Sequence, residues 1–473
     1  MVDSEDQKRL RMHSRKKPHV VLFICDQMQF QRLGVVDGQA VTPVLDGLCR
    51  EGVLFSHVYC SNAQCVPSRV SLLTGLYPHE AEVLINFPFY GHTEHIHDGL
   101  TTVGQLFRDA GYMTAYFGKR HFGFPIQPLG YLLSNNPRIP GTNSEKDRVF
   151  NEEALAFLRT YDPSHPLFLT LSYHEPHPPF ELVAPFHHDY AREKLELPDS
   201  FYQDDLATKP RFQQEHAASL DHGARDAEQL RYELHCYYSM ISHVDHLVGK
   251  ILEALVDKDM RKDTIVLFTA DHGDMMGAHR MRLKGTLPYE ELYRVPVILS
   301  MPEPGPRGII IDRLMSNTAV PGTMLDAAGI EAPAPFAERS FLPLNHSSSY
   351  PSPIEDAVFF EHYGAYWGLH PFRAVRVRLR PKIQGGGLGS THWKYVHYYG
   401  PDQCEELYDL TQDPHEINNL ASDTSSDVVW VKKELAGLVD AWWGSTGGRT
   451  FDEYEQEEYK SRQSETLFSE LEY

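Results

Sequence analysis

Continuous apolar runs recur along the first two thirds of the chain and predict the strands of a buried sheet. The run HVVLFIC at 19–25 has the length of a strand and no polar alternation, as expected when both faces are covered. Comparable runs are VLFSHVY (53–59), MTAYFG (113–118), PLFLTLSY (166–173), TIVLFTA (264–270) and VPVILSM (295–301). Segments between them predict helices at 43–52, 101–110, 150–161 and 226–257. This alternation predicts an α/β fold, with a large, mostly parallel sheet sandwiched by helices.

The pattern changes near residue 345. The segment SSSYPSP at 347–353 is typical of a linker. The short runs AVFFEHY, FRAVRVRL, HWKYVHYY and EELYDL then predict a small antiparallel sheet, followed by a helix around 427–443. We therefore divide the chain into a polar N-terminal arm (1–17), a large α/β domain (18–345), a C-terminal α+β subdomain (346–450) and an acidic tail (451–473).

Composition narrows the possible partners and compartment. The 473 residues include 65 Asp and Glu against 44 Lys and Arg, and the net charge of -21 disfavours binding to nucleic acid or to an anionic membrane. The chain has no apolar run of about 18 residues and no signal-peptide pattern, so we expect a cytoplasmic protein. Six cysteines without CxxC spacing predict reduced thiols rather than a disulfide framework or a cysteine zinc site.

One cysteine stands in a reactive context. The strand predicted at 53–59 leads into CSNAQCVPSRVSLLTG, in which Pro67 suits the first turn of a helix. Cys65 then lies at the helix N-terminus, where backbone N–H groups stabilise an anion, and Arg69 is one turn further on. These residues alone leave two interpretations open, a reactive or modified Cys65 and a buried structural thiol.

The segment CVPSRVSLLTG resembles the signature of the type I sulfatases, C-x-P-S-R-x-x-x-L-T-G, at all seven of its fixed positions. Further segments resemble that family in the same order: DQ (26–27), GKRHFG (118–123), HEPHPPF (174–180), ADHGDMMGAHRMRLKG (270–285) and ELYDLTQDPHEINNLA (406–421). The resemblance extends from about 18 to 445. It implies an alkaline-phosphatase-like fold and hydrolysis of a sulfate ester.

The resemblance also implies how the nucleophile is made. In this family a separate formylglycine-generating enzyme oxidises the signature cysteine, here Cys65, to Cα-formylglycine (3-oxoalanine). One hydroxyl of its hydrate attacks sulfur and the alcohol leaves. The other hydroxyl then loses its proton, and the adduct collapses to aldehyde and sulfate. Release of sulfate therefore needs no attack by water on sulfur.

A divalent cation is the cofactor that the resemblance implies. Its ligands are Asp26, Gln27, Asp271, His272 and the modified Cys65. The best-known sulfatases have a second aspartate at the position of Gln27 and often asparagine at that of His272, so this pattern resembles the branch of choline sulfatases and phosphonate monoester hydrolases. We expect Ca²⁺, with Mn²⁺ as the alternative because an imidazole replaces an oxygen ligand.

Cationic residues complete the implied site. Arg69 holds the hydrate oxygen, Lys119 bridges hydrate and sulfate, and His121 is the base for collapse. His177 and Lys284 bind sulfate oxygens, and Asn86 corresponds to a substrate-contacting asparagine of the phosphonate branch. The histidines of GHTEHIHD (91–98) lack the spacing of a metal site and predict a polar loop.

Three functions follow, in order of preference. The first is a hydrolase of a small-molecule sulfate ester, favoured by Lys119 and His121, because the phosphonate branch carries other residues at these two positions. The second is a phosphonate monoester or phosphodiester hydrolase, and the third is an unmodified, non-catalytic pseudo-sulfatase. The alcohol half of the substrate is left open among aryl, choline and sugar sulfates.

Overall fold

The computed structural model describes residues 17–86, 99–121, 126–135, 139–219, 223, 226–344, 350, 353–365, 369–380 and 391–456. Its main sheet has eight strands: β1 (His19–Cys25), β2 (Val53–Tyr59), β3 (Met113–Gly118), β4 (Leu133–Ser134), β5 (Leu167–Ser172), β6 (Thr264–Ala270), β7 (Arg294–Ser300) and β8 (Ile309–Ser316). Their order across the sheet is β4-β3-β5-β1-β6-β7-β2-β8.

Parallel pairing dominates this sheet and positions the candidate site. The four neighbouring strands β3, β5, β1 and β6 are all parallel to one another, whereas β7 pairs antiparallel with both β6 and β2. The carboxyl ends of the four parallel strands therefore meet at one edge of the sheet, where open α/β folds bind their ligands. The predicted mostly parallel α/β sheet is confirmed.

Helices cover the sheet. They are α1 (Gly34–Asp37), α2 (Pro43–Glu51), α3 (Cys65–Thr74), α4 (Val103–Asp109), α5 (Asn143–Thr160), α6 (Asp199–Gln203), α7 (Arg211–Ala218), α8 (Ala227–Asp257), α9 (Glu290–Tyr293) and α10 (Val320–Ala327). The helix predicted to begin at 150 begins at Asn143, because Thr142 and Glu145 form a capping box ahead of the apolar positions. No helix within these ranges combines the length and apolarity needed to cross a bilayer.

A second sheet forms the C-terminal part, as predicted. Strands β9 (Ile354–His362), β10 (Phe372–Leu379), β11 (His392–Tyr398) and β12 (Cys404–Asp409) pair antiparallel in the order β12-β11-β10-β9. Helix α11 (Ser426–Ser445) packs on this sheet and buries Val431, Leu435 and Val439. The polar loop predicted at 91–98 lies outside the described residues, as does the glycine-rich segment IQGGGLGS at 383–390.

Two parts of the chain differ from the sequence predictions. Strand β8 is not predicted, because it lies at the edge of the sheet: Ile309 and Ile310 are exposed there, and a charged pair interrupts the run. The predicted acidic tail begins instead with a helix, α12 (Phe451–Glu455), which Thr450 caps and which buries Tyr454. Tyr454 contacts the rings of Tyr363 and Trp443, and Phe451 stacks on Tyr363, so two aromatic residues pack this segment on the subdomain.

Candidate active site

Two carboxylates end neighbouring parallel strands. Asp26 follows β1, Asp271 follows β6, and both are fully buried. Arg69 on α3 lies between them, with Nη2 2.8 Å from Oδ2 of Asp26 and Nε 2.8 Å from Oδ2 of Asp271. A buried guanidinium thus fixes the separation of two buried acids that would otherwise repel each other.

Cys65 is the first residue of α3 and is completely buried against these acids. Its Sγ lies 3.0 Å from Nζ of Lys284, 3.3 Å from Nε2 of His272 and 3.8 Å from Oδ1 of Asp26. Burial and Asp26 raise the pKa of the thiol. Lys284, Lys119 and His272 outweigh them, and the pKa of Cys65 lies well below its ordinary value.

The start of α3 is fixed by side chains from elsewhere. Asn86 Oδ1 accepts a hydrogen bond from the backbone N–H of Val66 at 2.9 Å, and the Asn86 N–H donates to Oε1 of Gln64 at 3.0 Å. Gln64 Nε2 donates to the carbonyl of Gly364 in the C-terminal part. The structure therefore places Asn86 as a cap of the helix that carries Cys65, and its predicted contact with substrate stays a prediction.

The predicted metal ligands converge. One ligand atom each from Asp26, Cys65, Asp271 and His272 lies within 4.8 Å of the other three, and all four residues are buried. The His272 Nδ1 contacts the carbonyl of Gly273 at 2.8 Å, so its Nε2 faces the cluster. Burial and Asp26 raise the pKa of Asp271 to about 6. Two close, buried carboxylates with an inward imidazole fit a divalent cation.

Gln27 extends this cluster on one side. Its backbone has a φ of 71°, and its N–H donates to Oδ1 of Asp271 at 3.0 Å. Its Oε1 accepts a hydrogen bond from Nζ of Lys284 at 2.9 Å, and its Nε2 donates to Oδ2 of Asp274 at 2.5 Å. The amide oxygen, which is the atom able to ligate a cation, therefore lies on the Lys284 side.

The rim of the site is basic and partly exposed. Lys119 Nζ lies 2.8 Å from Oδ2 of Asp26, and His177 Nε2 lies 3.9 Å from Oδ1. The side chains of Lys119 and His177 are 12% and 28% exposed, whereas that of Asp26 is inaccessible. The His177 Nδ1 contacts the carbonyl of Pro178 at 2.6 Å, which leaves Nε2 facing the site. Burial, then Lys119 and Lys284, lower the pKa of His177 to about 4.

His121 completes the set on the Cys65 side. It has a φ of 53°, and its Nδ1 is buried with no hydrogen-bond partner in the part of the chain that the structure describes. Burial lowers the pKa of His121, although Cys65 raises it in part. A neutral imidazole beside residue 65 can accept a proton from it.

Sequence reasoning missed several residues that hold the site together. Ser172, at the end of β5, accepts a hydrogen bond at Oγ from Nη1 of Arg69 at 2.7 Å, and its carbonyl accepts one from the N–H of Lys119 at 2.7 Å. Ser68 Oγ donates to the carbonyl of Asp271 at 2.5 Å. The signal for Ser68 was its fixed place in the signature, and that for Ser172 was its position at a strand end.

The arrangement suits an anionic tetrahedral centre. Lys284 places a nitrogen beside residue 65, Lys119 and His177 place nitrogens beside the neighbouring Asp26, and α3 begins at residue 65. Such preorganised donors stabilise negative charge that develops on oxygen during group transfer.

Two family profiles and several curated proteins match this chain. The profile of the family described as Sulfatase matches residues 18–330, and the profile described as N-sulphoglucosamine sulphohydrolase, C-terminal, matches 277–439. The Delta 4,5-hexuronate-2-O-sulfatase of Bacteroides thetaiotaomicron is 28% identical over 428 residues, which cover 87% of this chain and 86% of that protein.

Solved structures share the fold. A protein in complex with its substrate, D-glucosamine-2-N,6-O-disulfate, superposes with a TM-score of 0.75 at 20% identity, over 91% of this chain and 98% of that one. The phosphonate monoester hydrolase of Agrobacterium radiobacter gives a TM-score of 0.69 at 21% identity, over 91% and 96%. At these identities the likeness concerns the architecture.

Proposed function

Because this chain belongs to the sulfatase family of hydrolases that act on sulfate esters, we propose that it releases sulfate from a small organic sulfate ester through a formylglycine formed at Cys65. The observation that carries the proposal is the surroundings of this residue. Cys65 begins a buried helix, lies 3.0 Å from Lys284, and shares a cluster of four buried ligand residues with two aspartates and His272. A structural thiol needs none of these neighbours.

The cofactor in this proposal is one divalent cation, Ca²⁺ with Mn²⁺ as the alternative. Asp26, Asp271, His272 and residue 65 would hold it, because their ligand atoms are buried and lie within 4.8 Å of one another. Gln27 would add its amide oxygen, which lies 2.9 Å from Nζ of Lys284. When bound, the cation supplies positive charge that polarises the nucleophile and the sulfate. Arg69 lies between Asp26 and Asp271 and lowers the pKa of each, which favours their ionised forms.

Each site residue of the chain has its own role in the proposed reaction. Once converted and hydrated, residue 65 provides the oxygen that forms a bond to sulfur while the bond from sulfur to the alcohol oxygen breaks. Lys119, Lys284 and His177 bind the sulfate oxygens, and a protonated Nε2 of His177 or the ammonium of Lys284 gives its proton to the alcohol. His121 accepts the proton whose loss releases sulfate. Its lowered pKa supports this role, because the imidazole is then neutral and able to accept.

The test begins with the modification, in protein coexpressed with a formylglycine-generating enzyme. Trypsin releases residues 51–69, and conversion of Cys65 makes this peptide about 18 Da lighter. The same peptide contains Cys60, which is also buried and serves as an internal control. We expect fragment ions to locate the change at 65 and an unchanged Cys60. An unshifted peptide, in a host that converts a known sulfatase, would point to a non-catalytic protein.

Measurements of turnover then distinguish hydrolysis of sulfate esters from hydrolysis of phosphonates and phosphodiesters. We expect converted protein to hydrolyse members of a panel of aryl, choline and sugar sulfates faster than phosphonate monoesters and phosphodiesters. Cys65→Ala and Cys65→Ser should each abolish hydrolysis of the sulfates. Full activity in both variants would remove residue 65 from the mechanism, and a preference for phosphonates would reassign the substrate class.

A further inference from the structure

Asp274 is a fully buried acid that joins the two loops of the candidate site. Its Oδ2 accepts a hydrogen bond from Nε2 of Gln27, and its backbone carbonyl accepts one from Nε2 of Gln29. Its Oδ1 accepts the backbone N–H groups of Met276 at 2.8 Å and Leu283 at 3.1 Å. The loop after β1 and the loop that ends at Lys284 therefore meet at one carboxylate.

This carboxylate determines which way the Gln27 amide points. The two ends of the amide have different partners: the NH₂ group of Gln27 donates to Oδ2 of Asp274, and Oε1 on the opposite side accepts from the ammonium of Lys284, which can only donate. The distance from Oε1 to Nζ of Lys284 is 2.9 Å, and the same Nζ lies 3.0 Å from Sγ of Cys65, a member of the cation cluster. With the amide reversed, an NH₂ group would face the cation and could not ligate it.

Both carboxylate oxygens of Asp274 already accept hydrogen bonds. Oδ1 serves the two backbone N–H groups of its own loop, so only Oδ2 is available to Gln27. An acidic side chain at 27 that placed an oxygen where Nε2 now lies would put two buried carboxylates in contact. Asp274 thus favours an amide over an acid at this position.

We propose that Asp274 is a positioning residue, which orients the Gln27 amide so that Oε1 is presented to the cation site and which makes glutamine the preferred residue at position 27. This inference rests on the proposed cation-dependent function. The sequence resemblance implies Gln27 as a ligand but gives no reason why glutamine replaces the aspartate that the best-known sulfatases have at this position. Asp274 supplies such a reason.

The test is a pair of substitutions with complementary hydrogen bonding. Asp274→Asn keeps an acceptor for Met276 and Leu283 but turns an NH₂ group towards Nε2 of Gln27, so the Gln27 amide is expected to flip. Adding Gln27→Glu restores an acceptor opposite that NH₂ group. We expect Asp274→Asn to weaken cation binding by about 10- to 100-fold and the double variant to regain most of it.

Affinity is measured on the full chain after chelator treatment, by titration with Ca²⁺ or Mn²⁺ alone, using calorimetry and the shift in Tm. Tyr237→Phe is the matched control. The Tyr237 hydroxyl donates to the backbone carbonyl of Gln27 at 2.6 Å and does not contact its amide. We expect this variant to lose stability and to keep wild-type cation affinity, which separates orientation of the amide from general support of the loop.

The inference is overturned if Asp274→Asn binds the cation as tightly as wild type, or if the double variant binds no better than Asp274→Asn. Since no substrate is present in these titrations, they remain informative whatever the turnover assays show. Wild-type protein that binds the cation but hydrolyses no sulfate ester would overturn the proposed function and leave the role of Asp274 intact.

Discussion

Nζ of Lys284 lies 3.0 Å from Sγ of Cys65 and 2.9 Å from Oε1 of Gln27. One ammonium group therefore contacts both the candidate nucleophile and a candidate cation ligand. The carboxylate and thiolate around it favour its charged form, since Cys65 and Asp26 raise the pKa of Lys284 against the effect of burial. At neutral pH it is a fixed positive charge beside residue 65.

Replacing this charge should impair catalysis more than folding. We expect Lys284→Met to lower kcat/KM for the best sulfate ester by about 10²- to 10³-fold, as for the loss of one preorganised donor. Lys262→Met removes an exposed lysine and should leave kcat/KM unchanged. Circular dichroism and Tm would show whether Lys284→Met is folded, and a folded variant with wild-type turnover would contradict the role given to Lys284.

His177 provides a second prediction, on the acid side of the pH profile. Its Nε2 faces the site and its pKa is lowered to about 4, so it is neutral in the free protein above that pH. A bound sulfate adds negative charge and favours protonation. We expect His177→Ala to reduce kcat by about 10²-fold or more.

The measurement is kcat as a function of pH for wild type and His177→Ala. If His177→Ala loses one limb of the pH profile as well as turnover, the result supports proton donation from His177 to the alcohol. A uniform loss at all pH values would restrict His177 to sulfate binding, and unchanged kcat would remove it from the site. His165→Ala, at an exposed histidine, is the control.

The sequence predicted the strand ends that build this site, because buried parallel strands are long apolar runs and their carboxyl ends meet at one edge. Asp26, Lys119, His177 and Asp271 follow four such strands, and the structure brings all four together. The local sequence pattern was sufficient to predict these positions, since the strand before each residue brings it to the same edge of the sheet.

The sequence did not predict the supports that depend on distant partners. Asp274 lies in the quoted segment 270–285, but its role depends on a hydrogen bond from Gln27, which is 247 positions away in the chain. The substrate contact of Asn86 stays a prediction, whereas its hydrogen bond to the start of α3 could not be predicted. A single sequence does not reveal which donor meets which acceptor across loops, and these pairings appear only with the folded chain.

A third prediction concerns the stability of the fold in acid. His362 in β9 is buried, and burial together with His370 lowers its pKa to about 3. The folded chain therefore keeps His362 neutral where the unfolded chain, with an ordinary pKa near 6.5, takes up a proton. Its contribution is fully present above about pH 6.5 and is lost as the pH falls towards 3, by at most about 1.4 kcal/mol per pH unit.

Denaturant unfolding between pH 7.5 and 4.5 tests this sign. We expect the free energy of unfolding of wild type to fall with decreasing pH, and His362→Asn to have a smaller slope because asparagine does not titrate. His165→Asn should keep the wild-type slope, since this histidine is exposed. Equal slopes in wild type and His362→Asn would show that His362 is protonated without cost in the folded chain.

The last prediction links one glycine to the position of Lys119. Gly118 ends β3 with a φ of 107°, and a Cβ atom there would lie 1.9 Å from the carbonyl oxygen of Ser172. That same oxygen accepts the N–H of Lys119 at 2.7 Å. A side chain at 118 must therefore push β3 away from β5 and move Lys119 away from Asp26.

Gly111→Ala is a matched control in the turn before the same strand, since it also has a positive φ, 81°, but meets no atom within 4 Å. We expect Gly111→Ala to cost about 1–2 kcal/mol of stability from the left-handed backbone alone and to keep kcat/KM. Gly118→Ala should cost at least about 1–3 kcal/mol more, because of the clash, and should lower kcat/KM through Lys119. Equal losses of stability in the two variants, or full activity in a folded Gly118→Ala protein, would show that β3 can shift without displacing the lysine.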